Sequence, residues 1–203
     1  MVTNFSKEPR KEGITDHEWI WKRNMKNGTW NVQSLFWSGA LKGLHNELPN
    51  LDFNVVGLQE IWLESGIQKF DNSAIFNSGL ENKKHEFGCR FYARGEFLKY
   101  VKDFKIINER ICYLRLQAKR FSCTMINVHT PTNEKTEETK EFYNLLEQNI
   151  NRIANSDIKI ILGEFNAKVG KENIYKPTIG SESLHKETNN NGIKMIQFAI
   201  SKG

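Results

Sequence analysis

Two short, mainly apolar runs constrain this sequence most, because each has the length of a strand and each leads straight into polar residues. The first run, 53–58, is followed at once by Gln59 and Glu60, and the second, 158–162, leads into 163–166, Gly-Glu-Phe-Asn. Short continuous apolar runs with polar or turn residues at their ends are typical of buried strands. The chain is therefore expected to fold in layers around buried sheets.

Helical periodicity predicts three further elements. A helix is expected over 40–48, ended by Pro49, an amphipathic helix with an acidic first turn over 136–154, and a last helix over 193–200 after a loop-like stretch. Segments rich in aromatic and β-branched residues predict more strands, at 28–32, 74–76, 87–93, 111–116 and 121–128. This order predicts an α/β (α+β) domain without regular βαβ alternation, and no dinucleotide-binding or Walker motif is present.

The composition excludes several classes of protein. The mean hydropathy is −0.58, and no apolar stretch is long enough to span a membrane. Residues 1–26 are polar and charged and lack the apolar core of a signal peptide, so we expect an intracellular protein, nuclear or cytoplasmic and not secreted. We interpret 1–26 as a disordered or leader segment and 27–203 as the domain. The three cysteines include no CxxC pair, which gives a zinc site or disulfide framework no support.

Positive charge is concentrated in one part of the chain. The net charge is +5, and the segment 83–120 is much more basic than the rest. Such a segment suits a polyanion such as nucleic acid. Strands with one solvated face carry lysine and arginine for solubility as well, so the charge alone leaves both interpretations open.

Polar residues follow four of the predicted strands, and these are the candidate site residues: Asn31, Glu60, His129, Glu164 and Asn166. In layered α/β proteins the loops that build sites meet at strand ends. Carboxylate and amide oxygens suit a hard cation such as Mg²⁺. Each residue alone is more often a turn cap or the first solvated position after a strand, and it is their conjunction that favours a site.

Four motifs occur together in a recognisable order: Gly-Thr-Trp-Asn-Val-Gln-Ser-Leu at 28–35, Leu-Gln-Glu at 58–60, Ile-Asn-Val-His-Thr-Pro-Thr at 126–132 and Ile-Leu-Gly-Glu-Phe-Asn-Ala at 161–167. This order resembles the exonuclease–endonuclease–phosphatase superfamily. It is most similar to the endonuclease domains of RTE-type non-LTR retrotransposons and to the craniofacial development protein 2-like group. The resemblance covers roughly residues 27–200.

The resemblance implies a four-layer sandwich of two mostly antiparallel sheets flanked by helices. It implies phosphodiester hydrolysis with Mg²⁺ or Mn²⁺, with DNA as the partner and with no small-molecule cofactor and no membrane. Glu60 matches the metal-ligating glutamate, Asn31 the asparagine that supports the metal and the water, and Asn166 the asparagine that orients the nucleophile or the phosphate. His129 stands where many relatives have a tyrosine. Glu164 stands at a metal-ligating and catalytic position.

Three departures from the family pattern are visible, and the first two lower the expected activity. Glu164 replaces the aspartate of Gly-Asp-x-Asn, which moves its carboxylate outward by about 1 Å and can cost about a hundredfold in rate. The family's final strands carry an aspartate and a catalytic histidine; we expect these strands to be missing here, and the context of His185 does not match that histidine. In the family's Gly-x-Gly-Phe pattern, Arg90 replaces the second glycine and is expected to disturb a tight backbone approach.

Three functional hypotheses remain open at this point. The first is a metal-dependent DNA endonuclease domain of retrotransposon origin with weak or no activity. The second is a non-catalytic nucleic-acid-binding or interaction module, and the third is a fragment of a gene product that does not fold alone.

Overall fold

The computed structural model describes residues 25–32, 40–61, 66–77, 88–119, 121–132 and 136–203. Within these ranges the strands are β1 (Asn27–Asn31), β2 (Val55–Gln59), β3 (Gly66–Phe70), β4 (Ser73–Asn77), β5 (Arg90–Arg94), β6 (Val101–Asn108), β7 (Ile111–Ala118), β8 (Phe121–His129) and β9 (Ile158–Glu164). The α-helices are α1 (Ala40–Glu47), α2 (Thr136–Asn151) and α3 (Asn190–Ile200), with short 3-10 turns at Leu48–Leu51, Gly95–Tyr100 and Asn173–Tyr175.

The strands form two sheets of mixed but mainly antiparallel pairing. The first has the order β1-β2-β5-β4-β3 and the second β6-β7-β8-β9. Among the strand pairs of the described ranges, only β1–β2 and β8–β9 are parallel. Because parallel neighbours end at the same edge, each sheet brings two strand carboxyl ends together.

The sheets pack face to face, and alternation along each strand explains why. Val55 and Phe76 of the first sheet lie in one buried cluster with Leu114 and Met125 of the second. Successive side chains of a strand point to opposite faces, so the intervening residues face outward and need covers of their own. Close packing is visible at Gly57, where an added Cβ would lie 2.0 Å from Leu162 Cδ1 of the opposite sheet.

Helices cover both outer faces. Leu44 of α1 packs in a cluster with Val56 and Leu58 of β2, whereas Phe142 and Leu146 of α2 pack with the outward residues of β8. Helix α3 lies beside α2, with the ring centroids of Tyr143 and Phe198 5.4 Å apart. The order of layers is therefore helix, five-stranded sheet, four-stranded sheet, helices, as the resemblance implied.

Most predicted elements are confirmed, with shifted ends. Helix α2 stops at Asn151 rather than 154, and α3 begins three residues earlier than predicted. The strand predicted over 87–93 is observed as 90–94, and Phe87 lies outside the described residues. Strands β3 and β6 were not predicted as separate elements.

The domain includes two residues of the predicted leader. Met25 packs against the core between the sheets, and the Lys26 N–H donates to Asn54 Oδ1 at 2.8 Å. The remaining leader residues, 1–24, lie outside the described residues. Among the helices of the described ranges, none combines the length and the apolar character needed to cross a membrane.

Candidate active site at the strand carboxyl ends

Asn31 and Glu60 meet at the end of the first sheet. Asn31 is the last residue of β1 and pairs in register with Gln59, the last residue of β2. Glu60 follows directly and has a left-handed backbone, with φ of 60°. That backbone turns the chain out of the strand, and the Asn31 Nδ2 donates to Glu60 Oε1 at 2.9 Å. The carboxylate is thus fixed at the sheet edge with 29% of its side chain exposed.

His129 brings the second sheet to the same place. It ends β8, pairs in register with Glu164 at the end of β9, and is buried. Its Nε2 lies 3.6 Å from Glu60 Oε1. One carboxylate oxygen of the first sheet therefore contacts both an amide of its own sheet and an imidazole of the other. The structure brings together Asn31, Glu60 and His129, three of the predicted site residues.

Asn166 and Glu164 form the adjacent part of the site. Asn166 also has a left-handed backbone, with φ of 47°. Its backbone N–H donates to Glu164 Oε1 at 3.0 Å, and its Nδ2 donates to Thr130 O at 2.6 Å. Because Thr130 follows His129 directly, Asn166 and Glu164 are tied to the loop that leaves β8. All five predicted residues therefore lie at one end of the sandwich.

A buried amide pair holds the two sheets in register beneath this site. Gln59 Nε2 donates to Asn127 Oδ1 at 2.5 Å, and both residues are almost completely buried. Asn127 Nδ2 in turn donates to Leu58 O at 3.0 Å and Arg90 O at 2.7 Å. Buried amides of this kind fix a unique alignment because any slip leaves polar groups unpaired. Gln59 was noted from the sequence only as the polar residue before Glu60, and Asn127 was not predicted as a site residue, although both stand within the quoted motifs.

No family model matches the chain, but individual relatives do. Craniofacial development protein 2 of Bos taurus is 28% identical over 173 residues, covering 84% of this chain and 28% of the relative. The protein of the same name from Tragulus javanicus is 29% identical over 149 residues, covering 72% and 26%. The chain thus spans little more than a quarter of the length of these curated relatives.

Solved structures show the same architecture. The AP endonuclease LMAP from Leishmania major matches with a TM-score of 0.61 and 16% identity over 96% of this chain and 71% of that one. The endonuclease domain of TRAS1, a telomere-specific non-LTR retrotransposon, matches with a TM-score of 0.55 and 12% identity over 86% and 70%. The chain has the exonuclease–endonuclease–phosphatase fold. The resemblance inferred from its motifs is confirmed by these relatives.

Two buried arginines contact the candidate site, and their contacts were not predicted from the sequence. The Arg90 guanidinium donates to Ile61 O at 2.7 Å, directly after Glu60, and burial lowers the pKa of Arg90 to about 10. Arg110 is buried and donates to His129 O at 3.3 Å and to Glu138 Oε1 at 2.7 Å. The sequence signal available for both was an arginine within or directly before an apolar strand, Arg90 in β5 and Arg110 before β7.

The donor set fits a hard divalent cation in its chemistry. Carboxylate oxygens from Glu60 and Glu164 and the amide oxygen of Asn31 are the ligand types that Mg²⁺ accepts, with water completing its shell. The carboxylate of Glu60 is partly exposed, so a hydrated ion has access to it. In the described part of the chain, no three histidine, cysteine, aspartate or glutamate side chains cluster as a complete metal site. An ion bound here would keep several waters.

In the part of the basic segment that the structure describes, the cationic side chains are divided among buried, ion-paired and exposed positions. Arg90 and Arg110 are buried, and Arg94, Lys99 and Arg115 form ion pairs with neighbouring carboxylates. Lys102, Lys105 and Lys119 are exposed on β6 and after β7, while Lys83, Lys84 and Arg120 lie outside the described residues.

His185 is exposed in the loop before α3, with its backbone N–H donating to Ser183 Oγ at 3.1 Å.

Proposed function

We propose that this chain is a metal-dependent phosphodiesterase domain that nicks DNA, of retrotransposon endonuclease descent, with weak activity. The observation that carries the proposal is the contact of Glu60 Oε1 with both Asn31 Nδ2 and His129 Nε2 where the two sheets end. Structurally similar proteins include an AP endonuclease and a retrotransposon endonuclease domain. Each has that function by its own name, and the site geometry is what extends it to this chain.

Glu60 and Asn31 would hold Mg²⁺ or Mn²⁺, and Glu164 would approach it from the second sheet. Such an ion, when bound, polarises a phosphoryl oxygen and makes a coordinated water more acidic. The hydrogen bond from Asn31 fixes the orientation of the Glu60 carboxylate before any ligand arrives. Preorganised ligands avoid the cost of ordering during the reaction.

His129 and Asn166 serve the substrate and the nucleophile. The His129 imidazole donates a hydrogen bond to a phosphate oxygen, the part that a tyrosine hydroxyl plays in many relatives. The Asn166 Nδ2 donates a hydrogen bond to Thr130 O, so its amide oxygen is the group that can accept a hydrogen bond from the attacking water. An acceptor at that place orients the water by accepting a hydrogen bond from it.

The first experiment is nicking of supercoiled plasmid with Mg²⁺ or Mn²⁺, with EDTA as the metal control. Glu60→Gln should abolish nicking, because it removes the charge that holds the cation while keeping the shape of the side chain. Glu141→Gln on the exposed face of α2 is the matched control and should nick like the parent. Nicking by Glu60→Gln at the parental rate would show that the site is placed wrongly.

One observation favours a second function, a nucleic-acid-binding module without catalysis. Glu164 Oε1 accepts the Asn166 N–H, which commits part of that carboxylate to holding its own loop. A chain that binds but does not cleave would melt cooperatively, fail to nick, and bind DNA with an affinity that falls as salt rises. Binding that ignores ionic strength would exclude this alternative.

A further inference from the structure

The first turn of α3 carries an asparagine whose side chain reaches two loops at once. Asn191 is fully buried, and its Nδ2 donates to Pro131 O and to Asn166 O, both at 3.1 Å. Because carbonyl oxygens only accept hydrogen bonds, the atom facing them must be the amide nitrogen. Pro131 follows β8 and Asn166 follows β9, so one amide joins the loops that leave two neighbouring strands.

Helix capping does not explain this side chain. The N-terminus of α3 is already capped by Asn189, whose Oδ1 accepts the Gly192 N–H at 2.8 Å and the Lys168 N–H at 3.0 Å. Asn190, between the two, is exposed. In the described part of the chain, Asn191 Oδ1 has no hydrogen-bond partner. A buried acceptor without a partner costs free energy. The part of the Asn191 side chain that suits this position is therefore its Nδ2 group, which makes both hydrogen bonds.

The two contacts of Asn191 complete the restraint on Asn166. The backbone N–H of Asn166 is held by Glu164, its Nδ2 by Thr130 O, and its carbonyl by Asn191. Among the described residues, this leaves Oδ1 as the one polar group of Asn166 without a hydrogen bond. A left-handed backbone at a residue other than glycine persists only when its surroundings hold it.

We propose that Asn191 is a positioning residue, which fixes the loop after β9 against the loop after β8 and so holds the orientation of the Asn166 side chain at the strand carboxyl ends. The effect on catalysis rests on the proposed function, but the effect on the Asn166 loop does not. Helix α3 then supports the site by positioning its loops, although none of its side chains is proposed to contact the substrate.

The test compares Asn191→Ala with Asn190→Ala in the full chain, and adds Asn191→Leu, which keeps the branched shape of the side chain and removes both the amide donor and the acceptor that has no partner. Amide hydrogen exchange at Asn166, followed by NMR, should accelerate at least about tenfold in both Asn191 variants and stay parental in Asn190→Ala. Plasmid nicking should fall about 10–100-fold in kcat with KM unchanged. Asn191→Leu should melt within about 4 °C of the parent.

Equal Asn166 exchange in the Asn191 and Asn190 variants would overturn the proposal. So would an Asn191→Leu variant whose nicking falls only in proportion to its loss of folded protein, because that is the behaviour of a purely structural residue. If the parent shows no nicking at all, the proposed function fails, and the exchange rates still decide whether Asn191 holds the loop.

Discussion

The Glu164 carboxylate accepts the N–H of the residue two positions along, a contact that an aspartate makes with one methylene less. We therefore predict that Glu164→Asp keeps the turn at Asn166 and withdraws the carboxylate by about 1 Å, into the family's spacing. The nicking rate with Mg²⁺ should rise by about ten- to a hundredfold. Initial rates on supercoiled plasmid measure this, with Glu164→Gln as the uncharged control. A rate that stays level or drops in Glu164→Asp would mean that the longer side chain is not what limits this site.

Asp157 gives a prediction about stability rather than catalysis. Its buried carboxylate accepts from Arg115 Nε at 2.7 Å and from Thr124 Oγ1 at 2.8 Å, and the hydrogen bond from Arg115 lowers the pKa of Asp157 below its ordinary value of 3.8. A lowered folded-state pKa stabilises the fold above the unfolded value, and this contribution is lost as pH falls through the folded value. Asp157→Asn should cost about 1.5–3 kcal/mol at pH 7.

Urea unfolding of Asp157→Asn and of the parent, at pH 7 and below pH 3.8, tests whether the stabilisation by Asp157 decreases as the pH falls. The difference in unfolding free energy should shrink progressively as the pH falls below 3.8, because the carboxylate of the unfolded parent then binds a proton more readily than the folded one. Asp71→Asn, in an exposed turn, should unfold like the parent at both pH values. A gap between Asp157→Asn and the parent that is the same at both pH values would show that charge is not the source of the stabilisation.

At the scale of elements, the sequence predicted the covered strands better than the edge strands. The buried run 53–58 and the helix starting at 136 carry clear patterns, since one or both of their faces are apolar. Strand β6 places Lys102, Asp103 and Lys105 on its exposed surface, as edge strands commonly do, and these charges hide its period. Strand β3 is five residues long and mostly exposed. An edge strand has a neighbour on one side only, so its sequence is less constrained.

The residue types of the candidate site could be predicted from the sequence, but the residues that hold them in place could not. The structure brings together the strand-end residues Asn31, Glu60 and His129. The roles of Arg110 and Asn191 depend on contacts between elements distant in the chain, such as Asn191 with Pro131 at 3.1 Å. No local period encodes such a contact, because it exists only after the sheets and α3 have packed.

Gly163 tests how β9 is held against β8. Its φ is 141°, and an added Cβ would lie 2.0 Å from Val128 O, a backbone atom that cannot move without breaking the strand pair. Gly163→Ala should destabilise the fold by about 2–5 kcal/mol, from overpacking and backbone strain together. Gly43→Ala is the matched control: nothing lies within 4 Å of its added Cβ, and in helix α1 it should gain about 0.5–1 kcal/mol. Urea unfolding that ranks the two variants the other way would contradict this account of β9.

At the scale of the whole molecule, the placement of lysines predicts where DNA lies. Lys168 follows Asn166 by two residues, at the site end of the second sheet, and is exposed. Lys119 follows β7, whose last residue pairs with the first residue of β8, so it lies at the opposite end. A duplex whose phosphate reaches Glu60 and His129 therefore passes near Lys168 and far from Lys119.

Each phosphate contact contributes about 0.9 to the slope of log affinity against log salt. We predict that Lys168→Gln weakens binding of a short duplex and lowers this slope by about one, whereas Lys119→Gln changes neither. Fluorescence anisotropy from 50 to 200 mM KCl, about the range over which phosphate contacts are released, measures both quantities without added metal. If Lys119→Gln weakened binding and Lys168→Gln did not, the DNA would lie along the far end of the second sheet, away from Glu60. The basic segment identified from composition would then be the binding surface, and the strand-end site would have to be reached by a second contact.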